Sequence, residues 1–244
     1  MGRESIIDSL ISPEKLADGL VWYVVFLFST TLHEASHAFA AMKMGDYTAY
    51  HGGQVTLDPI PHVRREPFGL VVVPILSFML GGWMMGWASA PYDPAWALRY
   101  PRRSAIMALA GPAANLLLVL VAALCIHLGM FYGHFAAPDE IAFAHITEAT
   151  GGGMWTHFAT LLSIFFSLNL LLFAFNLIPF PPLDGSGAVP LFLSDSWAQM
   201  YMTKIRTSGF AIFGLLIAWR FFGYLYSPLH LLAIQLLYPA HNYQ

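Results

Sequence analysis

The sequence has little charge and a single cysteine. Only 10% of its 244 residues are Asp, Glu, Lys or Arg, whereas soluble domains carry about 25%. A formal net charge of −3 with scattered basic residues offers no footprint for nucleic acid. Cys125 cannot form an intramolecular disulfide, and it lies in an apolar run where we expect it to pack. The composition therefore excludes a nucleic-acid-binding protein and a disulfide-stapled secreted domain.

Apolar residues, by contrast, make up 57% of the chain. They gather in five regions, at residues 20–44, 68–88, 104–130, 158–178 and 210–237. Each could supply the roughly 20 apolar residues that a spanning helix needs. The sequence predicts an α-helical polytopic membrane protein in contact with lipid, with about five to six membrane-embedded segments. We expect a single domain over residues 1–244, with a core at about 20–187 and C-terminal helices at about 196–238.

Basic residues are spread unevenly among the loops. Most Lys and Arg follow the first, second and fourth apolar regions, whereas the loop at 131–157 has none and carries Asp139, Glu140 and Glu148. Because cytoplasmic loops are enriched in Lys and Arg, we expect the basic loops in the cytoplasm. The second region must then enter and leave on one side. This count of membrane crossings, which we call the parity argument, predicts a re-entrant hairpin folded at Gly81-Gly82.

The connection between the first two regions contains a candidate β-hairpin. Residues 47–50 (YTAY) and 54–57 (QVTL) are strand-like, and Gly52-Gly53 could form the turn between them. The pattern predicts a short β-hairpin at the membrane surface.

Ionisable residues interrupt the first apolar region in the stretch FSTTLHEASHAFAAMKMGD. His33 and His37 are four residues apart, so they share one face of a helix. This HExxH spacing allows two imidazoles to bind one zinc ion and places Glu34 where it can act on water at the metal. Ionisable groups at membrane depth are costly and usually functional. The alternative is a polar patch that holds helices together.

A catalytic zinc site needs a third protein ligand and an open position, and the best candidate is Asp184. It lies in NLIPFPPLDGSG, where Pro179, Pro181 and Pro182 must end the fourth helix. Irregular backbone at membrane depth is tolerated only where it is buried in protein or lines a watery cavity. If the second region is re-entrant, this segment reaches the same side as the two histidines. The alternative is an ordinary turn aspartate before Gly185.

Three motifs occur in order along the chain: HEASH at 33–37, GPAAN at 111–115 and NLIPFPPLDG at 176–185. They match HExxH, GPxxN and NxxPxPxLDG, and through them the chain resembles the site-2 protease family of intramembrane zinc metalloproteases. The resemblance implies one zinc ion held by His33, His37 and Asp184, with Glu34 as the catalytic base. It also implies that Asn176 lines the active site, where it would bind substrate backbone or the oxyanion.

The resemblance further implies transmembrane protein or peptide substrates cut within or near the bilayer, and a water path from the cytoplasm. We expect a minimal form without PDZ or CBS domains, in the cell membrane of a prokaryote. If the hairpin at 47–57 forms, its free edge could hold an extended substrate by strand addition, or it could simply cap the helices.

Several residues form a second tier around the expected site. Asn176 has an ordinary interhelical hydrogen bond as its alternative, and Asn115 could likewise bond across a close helix contact instead of serving the site. The remaining second-tier positions have expected structural roles: Gly111, Pro112, Pro179 and Gly185. No role is assigned to His51, His62 or Arg220.

Two other functions compete with a protease. A metal-ion transporter would place several buried His and carboxylate groups along a path, but here they converge on one place. A catalytically inactive scaffold would not need Glu34 together with all three expected ligands.

Overall fold

The structure, a computed structural model, describes residues 12–207, 210–241 and 243, and of residues 205–207 and 210 it describes only the backbone. Its α-helices are α1 (Pro13–Met44), α2 (Thr48–His51), α3 (Pro59–Arg65), α4 (Val73–Gly81), α5 (Pro94–Arg99), α6 (Pro101–Phe131), α7 (Met154–Asn176), α8 (Asp184–Ala188), α9 (Asp195–Thr207) and α10 (Phe210–Leu237). A π-helix at Phe68–Val72 precedes α4, and a 3-10 helix at Val189–Phe192 follows α8. Strands β1 (Phe135–Ala136) and β2 (Glu148–Ala149) pair antiparallel.

Four helices in the described part of the chain are long and apolar enough to cross a membrane, namely α1, α6, α7 and α10 from Ala211 onward. The predicted polytopic helical membrane protein is confirmed. α1 begins earlier than its apolar region because Ser12 Oγ accepts a hydrogen bond from the Lys15 N–H and Pro13 fits the first helical turn. It ends at Gly45, whose φ of 101° suits a residue without Cβ.

The second apolar region forms a hairpin that turns at Gly81-Gly82, where the sequence predicted the fold. Its helical limb, Phe68–Gly81, rises only about 21 Å, less than the ~30 Å hydrocarbon core. The chain reverses at Gly82, with φ 75°, and returns without regular structure. The Trp87 N–H then donates to the Gly69 carbonyl at 3.2 Å, so both ends of the hairpin lie together.

A small two-stranded sheet is present, but its predicted position is wrong. Residues 47–57 contain no strand, and β1 and β2 lie in the acidic loop that follows α6. The Asp46 carboxylate accepts hydrogen bonds from both the backbone and the hydroxyl of Thr48. These local hydrogen bonds compete with strand pairing, and the one-turn helix α2 follows where a strand was expected. The proposed substrate-binding strand edge at 54–57 therefore does not exist.

The site-bearing core is built from α1, α6 and α7. α6 packs along both α1 and α7, and the hairpin covers the N-terminal half of α1 through a cluster that includes Phe26, Leu70 and Ile164. α10 also packs on this core, where Ile234 and Val119 of α6 belong to a second cluster.

Candidate metal centre

Three predicted ligands from distant parts of the chain meet between α1, α6 and α8. His33 Nε2 and His37 Nε2 are 3.0 Å apart, and Asp184 Oδ2 lies 3.0 Å from the first and 3.2 Å from the second. Within the described residues this is the group of His, Cys and carboxylate side chains with the geometry to hold a metal ion. Zinc bonds of about 2.0–2.1 Å in a tetrahedron separate ligand atoms by about 3.3 Å. Two imidazoles and one carboxylate at these separations fit zinc.

The hydrogen bonds behind the two rings orient them for a metal. His37 Nδ1 lies 2.8 Å from the Met107 carbonyl, which can only accept, so Nδ1 carries the proton. His33 Nδ1 contacts Asn115 Oδ1 in the same way. A proton on Nδ1 leaves the lone pair of Nε2 free, and such bonds typically set the orientation of zinc-binding histidines.

Gly111 of α6 provides the room for the ion. A Cβ at this position would stand 2.3 Å from His37 Nε2 and 2.5 Å from His33 Nε2. Both distances are too short for a carbon atom, so any side chain at Gly111 would occupy space beside the two ring nitrogens that would bind the metal. The neighbouring Pro112 is buried within α6 and lacks a backbone donor.

Asp184 is presented by the turn that follows α7 and begins α8. Gly185 makes this turn tight, because a Cβ there would lie 2.2 Å from the Leu177 carbonyl oxygen. The Tyr201 hydroxyl donates to the Ser186 carbonyl at 3.0 Å and fixes α8 from the outside. The side chain of Asp184 is 22% exposed, against 7% and 8% for the two imidazoles. The group therefore opens to its surroundings on the aspartate side.

The charge state of Asp184 suits a ligand. Burial raises the pKa of its carboxyl, but when the imidazoles are protonated, the positive charge on His37 and the hydrogen bonds from both rings outweigh burial and hold that pKa well below the usual range of an aspartate. The carboxylate is therefore ionised at neutral pH, as metal binding requires.

Comparison with known proteins agrees with this geometry. The profile of peptidase family M50 matches residues 21–219, most of the chain. The chain belongs to peptidase family M50. It is thus a zinc metalloprotease of the site-2 type, and its four apolar helices make it an integral membrane protein.

Named relatives of this M50 peptidase are bacterial. The "Putative zinc metalloprotease YwhC" of Bacillus subtilis (strain 168) is 32% identical over 211 residues, 84% of each chain. The "Putative zinc metalloprotease Rip2" of Mycolicibacterium smegmatis is 30% identical over 192 residues, 79% of this chain and 64% of its own length. The "Putative zinc metalloprotease Rip2" of Mycobacterium tuberculosis (strain H37Rv) is 32% identical over 166 residues, which are 67% of this chain and 54% of its own length. No solved structure matches the chain.

The other predicted site residues of the M50 peptidase do not all lie beside the three candidate ligands. Glu34 is 6% exposed on α1 and lies between the two histidines in the chain. Asn176 ends α7 with its Nδ2 donating to the Leu172 carbonyl at 3.0 Å, and the structure records no contact between it and the three ligands. Pro179 is an exposed residue of the turn between α7 and α8.

The residues without an assigned role lie outside the ligand group. His51 packs with the rings of Tyr47 and Tyr50 on α2. His62 is buried, and its Nε2 lies 3.1 Å from the Thr56 carbonyl. Arg220 is exposed on α10.

Sequence reasoning missed three residues that support the centre of the M50 peptidase. Asn169 and Ser29 are fully buried and continue the hydrogen bonds behind His33. Tyr201 holds α8. Asn169 did carry a signal, because an amide inside the run SLNLLL of a spanning helix is costly and indicates a partner.

Proposed function

We propose that this M50 peptidase hydrolyses peptide bonds within or near the transmembrane segments of membrane proteins. In this proposal His33, His37 and Asp184 hold one zinc ion, and Glu34 is the catalytic base. The observation that carries it is the depth of the ligand group. At ~1.5 Å rise per residue, His37 and His33 lie roughly 10 and 16 Å from the C-terminal end of α1. A group at that depth can reach a bond below the lipid headgroups.

The residues of the chain divide the reaction between them. Zinc supplies Lewis acidity, which polarises the scissile carbonyl and lowers the pKa of water towards about 7. Glu34 takes a proton from the attacking water and later delivers it to the leaving amine. The buried position of Glu34, next to His33 in the chain, supports this role.

Asn176 is proposed to stabilise the oxyanion. Its amide has two N–H groups, one of which donates to the Leu172 carbonyl. The second N–H is the donor that we assign to the developing negative charge. Such a donor contributes on the order of 2.7–4 kcal/mol to transition-state stabilisation.

We place the open side of the site towards the cytoplasm of a prokaryotic cell. Lys43 lies in the last turn of α1, at the end nearest the ligands, and Arg103 Nη1 donates to the Met44 carbonyl at 3.2 Å. The opposite end of the core carries the acidic loop with Glu148. Basic residues concentrate on the cytoplasmic side of membrane proteins. The chain is taken as one membrane-embedded domain, which the packing of α10 on the core supports.

The test uses full-length protein reconstituted in liposomes with a panel of single-span transmembrane peptides. Mass spectrometry identifies the products, and elemental analysis measures zinc. We expect the wild type to bind one zinc ion and cleave within or next to the apolar span. Glu34→Gln should retain zinc and lose cleavage, whereas Asp184→Asn should lose both. Chelation should abolish cleavage by the wild type, and added zinc should restore it.

A matched carboxylate variant controls for nonspecific effects. Glu148→Gln, in the exposed strand β2, makes the same chemical change far from the ligands and should leave zinc and cleavage unaltered. Cleavage by Glu34→Gln at the wild-type rate would refute the catalytic assignment. Zinc-dependent cleavage of soluble peptides, but of no transmembrane peptide, would refute the proposed substrate class.

A further inference from the structure

The hydrogen bonds behind His33 continue through the interior of the protein. Asn115 Oδ1 contacts His33 Nδ1, and Asn115 Nδ2 donates to Asn169 Oδ1 at 2.8 Å. Asn169 Nδ2 in turn donates to the Phe165 carbonyl at 2.8 Å and to Ser29 Oγ at 2.9 Å. Asn115, Asn169 and Ser29 are all 0% exposed. We call Asn115 and Asn169 together the amide relay.

The direction of every bond in the amide relay is fixed from its far end. A backbone carbonyl can only accept, so Asn169 must turn its NH₂ towards Phe165 and its oxygen towards Asn115. Asn115 must then give its own NH₂ to Asn169 and present its oxygen to His33. An amide oxygen can only accept, so the proton of the His33 ring is held on Nδ1. The lone pair of Nε2 consequently faces His37 and Asp184.

The two histidines therefore reach the same state by different routes. His37 donates directly to the Met107 carbonyl of α6, whereas His33 depends on two side chains carried by α6 and α7. If Asn169 were apolar, nothing in this set of bonds would stop the Asn115 amide from turning over. Its NH₂ would then meet a donor nitrogen of His33, and the metal-binding tautomer would no longer be favoured.

We propose that Asn169 is a positioning residue for zinc, acting through Asn115 to hold His33 in its metal-binding tautomer. This inference rests on the proposed function for the identity of the ligands. Substitution of groups that orient metal ligands typically weakens metal binding or activity by about 10–100-fold. Asn169 is separated from His33 by Asn115, so we expect Asn169→Leu to weaken zinc binding by about 10-fold, at the lower end of this range. Asn115→Leu should weaken zinc binding more.

The experiment measures the zinc dissociation constant of the detergent-purified full chain by chelator competition. Wild type, Asn169→Leu, Asn115→Leu and the double variant are compared. Because Asn169 acts through Asn115, the double variant should bind zinc as Asn115→Leu does, without further loss. Additive losses, or wild-type affinity in Asn169→Leu, would overturn the proposal.

Matched variants separate positioning from simple loss of packing. Ser163→Ala removes another fully buried polar group from α7, one that accepts from the Ile146 and Thr147 N–H groups, and should leave zinc affinity unchanged. Asn169→Asp keeps an oxygen for Asn115 Nδ2 and should retain more affinity than Asn169→Leu. An equal loss of zinc affinity in Asn169→Asp and Asn169→Leu would contradict the role proposed for the amide relay.

Two further results keep the test decisive. If Asn169→Leu does not fold, Asn169→Ala replaces it in the same double-variant comparison, with folding followed by thermal unfolding. Zinc affinity is measured without substrate and so does not depend on cleavage. A wild type that binds zinc but cleaves nothing would refute the proposed function, while the zinc affinities of the variants would still test the amide relay. A wild type that binds no zinc would remove both.

Discussion

The helices that carry the candidate ligands and the C-terminal helix α10 are packed to very different extents. In their most apolar stretches, 39% of α1, 39% of α6 and 44% of α7 is buried within the protein, whereas only 11% of α10 is. α1 and α6 together hold both histidines and Gly111, and α7 leads into the turn of Asp184. The metal group thus lies in the closely packed part of the molecule, where ligand positions are held by many contacts.

α10 nevertheless touches the polypeptide that presents the third ligand. A Cβ on Gly214 would lie 2.1 Å from the Pro181 carbonyl oxygen, and Ala218 packs with Ile178 and Leu183. Trp219 stacks on Trp83 of the hairpin, with ring centroids 6.4 Å apart. α10 therefore covers the aspartate turn, while the core positions the candidate ligands. Glycine substitutions in the two regions test that distinction.

The largest effect is expected at Gly111 in the core. Gly111→Ala should abolish stoichiometric zinc binding and cleavage, because the new methyl would lie between the two imidazoles. Elemental analysis of purified protein measures the zinc. Gly223→Ala is the matched control, since a Cβ there meets nothing within 4 Å. Normal zinc content in Gly111→Ala would show that the space beside the two imidazoles is not needed for the ion.

A smaller loss is expected at Gly185. Gly185→Ala should push the turn away from the Leu177 carbonyl and shift Asp184, weakening zinc affinity by about 10–100-fold, as for other changes that disturb ligand orientation. Chelator competition gives the affinity. Gly151→Ala, in open space within the acidic loop, should bind zinc as the wild type does. An unchanged affinity in Gly185→Ala would mean that the turn is free to adjust.

Gly214 tests the cover itself. Gly214→Ala should force α10 away from Pro181 and cost about 1–3 kcal/mol of stability, as overpacking typically does. Zinc affinity should change by no more than a few-fold, because no ligand lies on α10. Thermal unfolding and chelator competition on one preparation measure both quantities. A zinc loss as large as that of Gly185→Ala would place α10 within the positioning framework.

The smallest effect is expected at Trp219. Trp219→Ala removes its ring contacts with Trp83 and Phe175, and aromatic pairs contribute about 0.5–1.5 kcal/mol each beyond their buried area. The unfolding temperature should fall slightly while zinc content stays at one ion per chain. Reduced zinc content in this variant would show instead that the exposed helix α10 helps to position the metal ligands.

The sequence predicted the membrane segments and the approximate site because both depend on patterns with strong physical constraints. Apolar length determines the spans, and the i, i+4 histidines together with a proline-interrupted helix end indicate the three ligands. The hairpin at Gly81-Gly82 followed from charge parity alone. These features require no knowledge of side-chain packing.

Other features depend on contacts that the sequence does not display. The strand-like residues at 47–50 form a helical turn, because the local hydrogen bonds from Thr48 to the Asp46 carboxylate outweigh the strand propensity of Tyr and Thr. Asn169 lies 54 residues from Asn115 and 140 from Ser29, so their partnership exists only after α1, α6 and α7 have packed. The role of Gly111 in leaving room for an ion likewise becomes visible only across the helix interface.

The long separation in the chain between the histidine pair and Asp184 has a consequence for biosynthesis. A nascent polypeptide that has delivered only its first helix to the bilayer holds two imidazoles but no aspartate to join them. With His33, His37 and Asp184 as the proposed ligands, hydrolysis requires that the ribosome has passed the LDG turn and that this segment has folded back against the earlier helices. The order of translation would therefore delay proteolysis until the core is assembled.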